Sequence, residues 1–299
     1  MKVLNEHEFG GPWTQEKLER IRSYLIQYMT IFTKNPAASF YTTIYVDAFA
    51  GSGYRTETKE KHESDDLFPE LNETEAQDFL KGSAWIALEV EPSFDRFIFV
   101  EKSADRVDDL NNLKREFPKK ADPIEVFTGD ANDKLIKWCR ETDWHKNRAV
   151  VFLDPYGMQV TWDLMETMAR TQAIDLWILF PLGVAVNRML TKGELPPEKW
   201  ASHLTRFFGS DDWKEEFYHS YVQPTLFGDE TTFDRKDAPF KKIGDYFVRR
   251  LKTVFADVAE NPLALLNSKN VPLFLLCFAA GNPRGAPIAK RIASYILRA

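Results

Sequence analysis

Ala149-Val150-Val151-Phe152-Leu153 runs directly into Asp154-Pro155-Tyr156-Gly157. Five consecutive apolar residues, β-branched and aromatic among them, read as a strand buried on both faces. Proline has no amide hydrogen to offer a ladder, so Pro155 turns the chain out of the sheet. The segment therefore sets a carboxylate, a rigid proline and an aromatic ring at the carboxyl edge of an internal strand. In open α/β sheets that edge is where ligands bind.

Strands and helices alternate around this point. The periodicity predicts a helix over Gln15–Phe32, with Thr14 as N-cap and apolar residues at Leu18, Ile21, Leu25, Tyr28 and Met29. Strands follow at Thr43–Phe49, Phe97–Val100, Ile124–Phe127, Ala149–Leu153 and Ile174–Phe180. Between them lie helical patterns near Ser83–Glu89 and over Ala104–Phe117, Asp133–Arg140 and Trp162–Ala169. After a helix at Phe240–Val254 come a short strand near Phe255–Val258, an apolar strand at Leu273–Phe278 and a last helix near Ile288–Leu297. Seven strands in this alternation predict a doubly wound, mostly parallel α/β sheet, with the last two as an antiparallel hairpin at one edge. Residues 183–237, rich in Trp, Phe and charge, fit no βα unit and read as a helical insertion. The expected organisation is a core over 1–182 with an acidic loop at 54–81, the insertion at 183–237, and completion of the sheet by 238–299.

Composition bounds the alternatives. Hydrophobic residues make up 44% of 299, enough for a packed core. No stretch approaches about 18 uninterrupted apolar residues, and the N-terminus lacks an apolar signal region, so a cytoplasmic protein without a membrane span is expected. Cys139 and Cys277 each sit among apolar or aromatic neighbours and read as buried small hydrophobes. His7, His62, His145, His203 and His219 have no metal-ligand spacing, so no metal is expected. Net charge is −6, but Glu57–Asp78 alone contributes −7 through nine acids and two bases, leaving +1 elsewhere. That stretch reads as a surface loop, with a flap that orders on a partner as the sharper alternative. Lys241, Lys242, Arg249, Arg250 and Lys252, extended by Arg284, Lys290, Arg291 and Arg298, read as a solvated face or a phosphate-contacting patch. Trp200, Phe207, Phe208, Trp213, Phe217 and Tyr218 read as the insertion's own core.

Acids recur at the strand ends. Asp47-Ala48-Phe49-Ala50-Gly51-Ser52-Gly53 closes the first strand, and its glycines allow close backbone approach to a ligand. It is neither G-x-G-x-x-G nor a P-loop. Glu101 ends the second strand, where an acid can hold ribose hydroxyls, and its distance from Gly51 returns to about 20 residues once the acidic insertion is set aside. Asp130, after Gly129, ends the third, where it could receive an adenine amino group. Each acid alone also suits a helix cap or a turn; an acid at every one of these strand ends is harder to explain by capping.

Asp47-x-Phe49-x-Gly51-Ser52-Gly53, Glu101-Lys102, Gly129-Asp130-Ala131 and Asp154-Pro155-Tyr156-Gly157 resemble the motifs of class I S-adenosylmethionine-dependent methyltransferases. Together with Trp13-Thr14-x-x-Lys17-Leu18 and Leu273-Phe274-Leu275-Leu276-Cys277-Phe278-Ala279, the chain resembles the three-Cys-motif partner family over nearly its whole length. The tetrapeptide is nearer to the D-P-F-G of tRNA guanine-N2 methyltransferases than to D-P-P-Y. The resemblance implies a Rossmann-like fold and S-adenosylmethionine held by Lys17, Asp47, Phe49, Ala50, Gly51, Ser52, Gly53, Glu101, Lys102, Asp130 and Ala131. It implies Asp154, Pro155 and Tyr156 as the catalytic set: the first two accept N–H bonds from an exocyclic amine and Tyr156 stacks on the target ring. It also implies a separate partner with three cysteines, similar to iron–sulfur radical S-adenosylmethionine proteins, and leaves nucleic acid open as substrate. A non-catalytic docking subunit and a nucleic-acid-binding module are the alternatives.

Overall fold

A computed structural model describes residues 12–50, 82–155, 157–224 and 230–298. Gly51, Ser52, Gly53, Tyr156 and the acidic stretch Glu57–Asp78 lie outside the described residues.

The chain opens with α1 (Pro12–Lys34) and β1 (Thr42–Ala48). After the undescribed stretch come α2 (residues 82–89), β2 (Arg96–Glu101), α3 (Ala104–Glu116), β3 (Ile124–Thr128), α4 (Ala131–Glu141) and β4 (Asn147–Leu153). Then α5 (Trp162–Arg170) leads into β5 (Ile174–Phe180). A π-helical turn at Leu182–Val186 passes into α6 (Asn187–Met189), α7 (Glu198–Phe208), α8 (Trp213–Phe217) and a hairpin of β6 (Tyr218–Pro224) and β7 (Glu230–Lys236). The chain closes with α9 (Phe240–Lys252), β8 (Asp257–Val258), β9 (Leu263–Leu266), β10 (Pro272–Ala280) and α10 (Ala286–Ile296).

The main sheet has the order β3-β2-β1-β4-β5-β10-β8, with β9 also paired to β10. β1 through β5 are mutually parallel, and β10 runs antiparallel to β5, β8 and β9. It is a doubly wound, mostly parallel α/β sheet, as expected. The order reverses between β1 and β4, where connections run outward in opposite directions. Right-handed crossovers then send the helices to opposite faces and open a crevice at the carboxyl ends of β1 and β4. Two details go beyond the sequence reading. The antiparallel strand β10 lies inside the sheet, and 183–237 carries a β-hairpin as well as helices.

The strands are buried on both faces: every residue of β5 is buried, as are Ala149–Leu153 of β4. Helix α1 lies over β5 and β10, with the Tyr24 ring 5.1 Å from Trp177 and 5.0 Å from Phe278. The Tyr24 hydroxyl donates to Asp175 Oδ2 at 2.7 Å, which satisfies a buried acid near the start of β5. Thr14 lies inside α1 instead of capping it, because the helix starts two residues earlier at Pro12. Cys139 and Cys277 are free and buried, as expected.

The aromatic residues of 183–237 do not form a separate core. Phe207 packs 5.7 Å from Phe180 of β5, and Phe247 of α9 stacks on Phe180 at 4.3 Å with a 9° interplanar angle. Phe208, Phe217 and Tyr246 continue the same cluster. Burial against the sheet wins because these rings are largely apolar and the carboxyl end of β5 offers Phe180 as a platform.

Phe207→Ala is therefore expected to cost about 3–5 kcal/mol of global stability. Urea unfolding followed by tryptophan fluorescence and by far-UV circular dichroism should give one coincident transition at lower denaturant. Two separated transitions would mean that the segment has a core of its own.

Candidate functional site

Parallel strands place their carboxyl ends on one edge, so the four acids line up there. From the outer strand inward the row is Asp130 after β3, Glu101 at the end of β2, Asp47 in β1 and Asp154 after β4. Backbone bonds hold the loops in place. Phe49 and Ala50 N–H groups donate to the Val100 carbonyl at 3.2 and 3.0 Å, and Gly129 N–H donates to the Glu101 carbonyl at 2.9 Å. Phe49 has φ 102°, a left-handed conformation that costs a bulky residue about 1–3 kcal/mol.

Glu101 and Asp130 are each engaged locally. Glu101 Oε1 accepts from the N–H groups of Lys102 and Ser103, both at 2.8 Å. Asp130 caps α4, its Oδ1 accepting from the N–H groups of Asn132 and Asp133 at 2.9 and 3.4 Å. Ala131, at the first turn of that helix, is buried. In both acids the second carboxylate oxygen has no hydrogen bond among the described residues.

Asp47 and Asp154 differ from this pair. Asp47 is fully buried. Ser83 of α2 donates to its carboxylate, and the Tyr45 hydroxyl reaches its Oδ2 at 3.4 Å. Its Oδ1 has no hydrogen-bond partner among the described residues. Desolvation pushes the Asp47 pKa up from 3.8 to about 7; the Ser83 and Tyr45 bonds and the Lys17 charge oppose this, and Asp154 adds to it.

Lys17 answers Asp154. Its Nζ lies 3.4 Å from Oδ1 and 3.3 Å from Oδ2, 5.4 Å from the Trp13 ring and 5.8 Å from the Phe152 ring. Burial lowers the Lys17 pKa to about 7 and raises that of Asp154 to about 6, while the attraction between them resists both changes. Both groups are charged between those values. Lys17 occupies the inward face of α1 with Ile21, Tyr24 and Tyr28, spaced four, seven and eleven residues on. A cation in an otherwise apolar stripe is the signal that identifies it in the sequence; its partner, 137 residues away, has no local signal.

Asn132 was not expected from the sequence. Its Nδ2 donates to the Gln159 carbonyl at 3.0 Å, and its Oδ1 accepts from Thr161 N–H at 2.9 Å and Thr161 Oγ1 at 3.1 Å. This ties the segment after Asp154-Pro155 to the helix that Asp130 caps. Pro155 is buried, and Gly157 takes φ 73°, a conformation that favours glycine. Beside this network lies a groove of about 530 Å³ whose lining includes Asp133, Asp163, Glu166 and Arg206.

The basic residues flagged in the sequence are largely neutralised. Lys241 pairs with Asp245 at 2.6 Å, Lys242 with Asp237 at 3.1 Å, Arg249 with Glu216 at 2.8 Å and Lys252 with Glu260 at 2.5 Å. Arg250 donates to the Phe208 carbonyl and stacks on Trp162 at 4.6 Å, and Lys290 pairs with Asp257. Among the described residues no three metal-ligating side chains cluster, and no helix is long and apolar enough to cross a membrane.

The fold and its row of strand-end acids define a doubly wound α/β protein with acids gathered at the topological switch point, where such sheets bind ligands. No protein-family model matches the chain, and no curated protein matches it. Among solved structures it is similar to the O-methyltransferase from Bacillus cereus in complex with SAH, at 10% identity and TM-score 0.33, covering 78% of this chain and 94% of that one. It is similar to the CcbJ methyltransferase from Streptomyces caelestis, at 10% identity and TM-score 0.34, over 91% and 97%. The Legionella pneumophila protein LPL1258 aligns at 12% identity and TM-score 0.36, over 83% and 94%. Likeness at this level carries no function across; the sheet order is read from the chain itself.

The raised pKa of Asp47 sets a pH dependence. The native protein binds this proton more tightly than the unfolded chain, so Asp47's contribution to stability is lost as pH rises from 3.8 through about 7. Asp47→Asn, without ligand, should raise stability at about pH 8 by on the order of 2 kcal/mol and flatten the dependence. Urea denaturation across pH measures it; equal destabilisation at every pH would contradict a buried unpaired charge.

Proposed function

We propose that this chain is an S-adenosylmethionine-dependent methyltransferase that acts on an exocyclic amine of a nucleobase or nucleic acid. The observation that carries the reading is the buried carboxylate of Asp47, whose Oδ1 has no hydrogen-bond partner among the described residues, one strand away from Asp154 at the reversal of strand order. Burying an unsatisfied carboxylate is costly and makes sense where a polar or cationic ligand completes it. The donor set fits this cofactor. Asp47 would face its ammonium group, Glu101 its ribose hydroxyls and Asp130 its adenine amino group. Phe49, Ala50, Gly51, Ser52, Gly53, Lys102 and Ala131 would supply backbone around it. When bound, the cofactor supplies an electrophilic methyl group.

The chain's own residues act on the acceptor. An exocyclic amine is a weak nucleophile because its lone pair delocalises into the ring. Asp154 and the Pro155 carbonyl would each accept one N–H, drawing the nitrogen toward a tetrahedral shape and fixing its lone pair in direction. Lys17 keeps Asp154 charged for that task, and Asn132 holds the following segment in register. Tyr156 is assigned the stacking role. Neutralised basic side chains on α9 and three acids along the neighbouring groove favour a small nucleobase acceptor over a long polyanion. The three-cysteine partner belongs to this reading as a separate polypeptide, since this chain has two cysteines in all.

Calorimetry is expected to give S-adenosylmethionine binding with a dissociation constant on the order of micromolar. Asp154→Asn should still bind the cofactor, weakened by no more than about tenfold, and lose transfer by about a hundredfold or more, measured with radiolabelled cofactor at saturation. No binding to the wild-type protein would sink the proposal; unchanged transfer in the variant would point to a docking subunit instead.

A further inference from the structure

Lys17 is the only lysine or arginine that is fully buried among the described residues. A buried ion pair of this kind stabilises a fold poorly, because desolvation offsets most of the attraction. A methionine would fill the same stripe beside Ile21 and Tyr24 without that penalty. The ammonium also straddles both oxygens of the carboxylate to which the acceptor nitrogen must come.

Charge accounting gives the pair a purpose. With a ligand ammonium on Asp47 offsetting the desolvation that raises its pKa to about 7, Asp47, Asp154 and Lys17 are all ionised and leave the enclosed site with one net negative charge. S-adenosylmethionine carries one net positive charge, from its ammonium, carboxylate and sulfonium, and S-adenosylhomocysteine carries none. The site is thus neutral with the cofactor and keeps no negative charge for a second cation. Resting on the methyltransferase reading, we propose that Lys17 is a specificity-determining residue. Its ammonium neutralises Asp154, so the site admits an uncharged, delocalised amine and turns away a protonated alkylamine. The Asp47 charge is thereby reserved for the cofactor. The groups that face this set among the described residues are Tyr45 on β1 and Ser83 on α2, neither of them cationic.

Calorimetry at about pH 6.5, inside the window where Lys17 and Asp154 are both charged, tests this with S-adenosylmethionine and S-adenosylhomocysteine as probes. The readout is the ratio of the two affinities. Lys17→Met should raise the preference for the sulfonium by at least about tenfold. Asp154→Asn should lower it by a similar factor, and the double variant should return it to the wild-type value. Comparing Asp154→Asn with the double variant isolates Lys17 even if Lys17→Met alone fails to fold. Propylammonium, added to protein loaded with S-adenosylhomocysteine, should bind Lys17→Met and not the wild type. If removing Lys17 weakens both ligands alike and leaves the ratio unmoved, or if propylammonium binds both proteins equally, Lys17 only packs and the proposal falls. If neither nucleoside binds the wild-type protein, the methyltransferase reading falls and takes the Lys17 assignment with it.

Discussion

The ion pair between Lys17 and Asp154 joins the first helix to the central strand, and the candidate site takes its shape from that join. Removing one partner would strand the other charge in the interior, at a cost of about 3–5 kcal/mol. Helix α1 is fixed from several sides so that the lysine arrives there. Tyr24 bonds to Asp175 in β5, and the Arg20 guanidinium donates to the Ile296 and Arg298 carbonyls at the end of α10. Helix α1 therefore positions a cation at the crevice, and Trp13, one turn earlier, covers it with a ring.

Legibility in the sequence followed the range of each interaction. β5 was read with its full bounds, because seven apolar-rich residues between a turn and Pro181 leave no other reading. The helices after β2, β3 and β4 were placed to within two residues for the same local reason. The interior position of β10 was not legible, since insertion between β5 and β8 is a choice among distant partners. The hairpin of β6 and β7 was missed because Tyr218–Pro224 and Glu230–Lys236 lack clean apolar alternation. At the site, the acids of the row could be read off strand ends. Ser83 could not, because it lies far from Asp47 in the sequence and carries no local signal of the contact. Asn132 resembles an ordinary first-turn residue until its side chain is seen to bond Thr161.

The five bases on α9, which the sequence reads as a solvated face or a phosphate-contacting patch, are engaged within the chain. Three of them meet carboxylates outside α9, Lys241 meets Asp245 on α9 itself, and Arg250 is spent on a backbone carbonyl and the Trp162 ring. Exposed pairs of this sort contribute little to stability, but they do flatten the local field. Inside the row of strand-end acids, where the dielectric is low, a single net charge counts for more than on the surface.

Two local costs fall within three residues of each other. Asp47 is buried with an oxygen that has no hydrogen-bond partner among the described residues, and Phe49 adopts a backbone conformation that suits glycine. Neither improves packing, and either could be relieved by a common substitution. Departures from local consistency gather where a chain has been selected for something besides stability. Here both lie at the carboxyl end of β1, at the strand reversal, and both lead directly into Gly51-Ser52-Gly53. Glu101 and Asp130 have local capping roles that would justify them in any α/β sheet. Asp47 has no such role, and together with the lysine-paired Asp154 beside it forms the part of the row that capping does not account for.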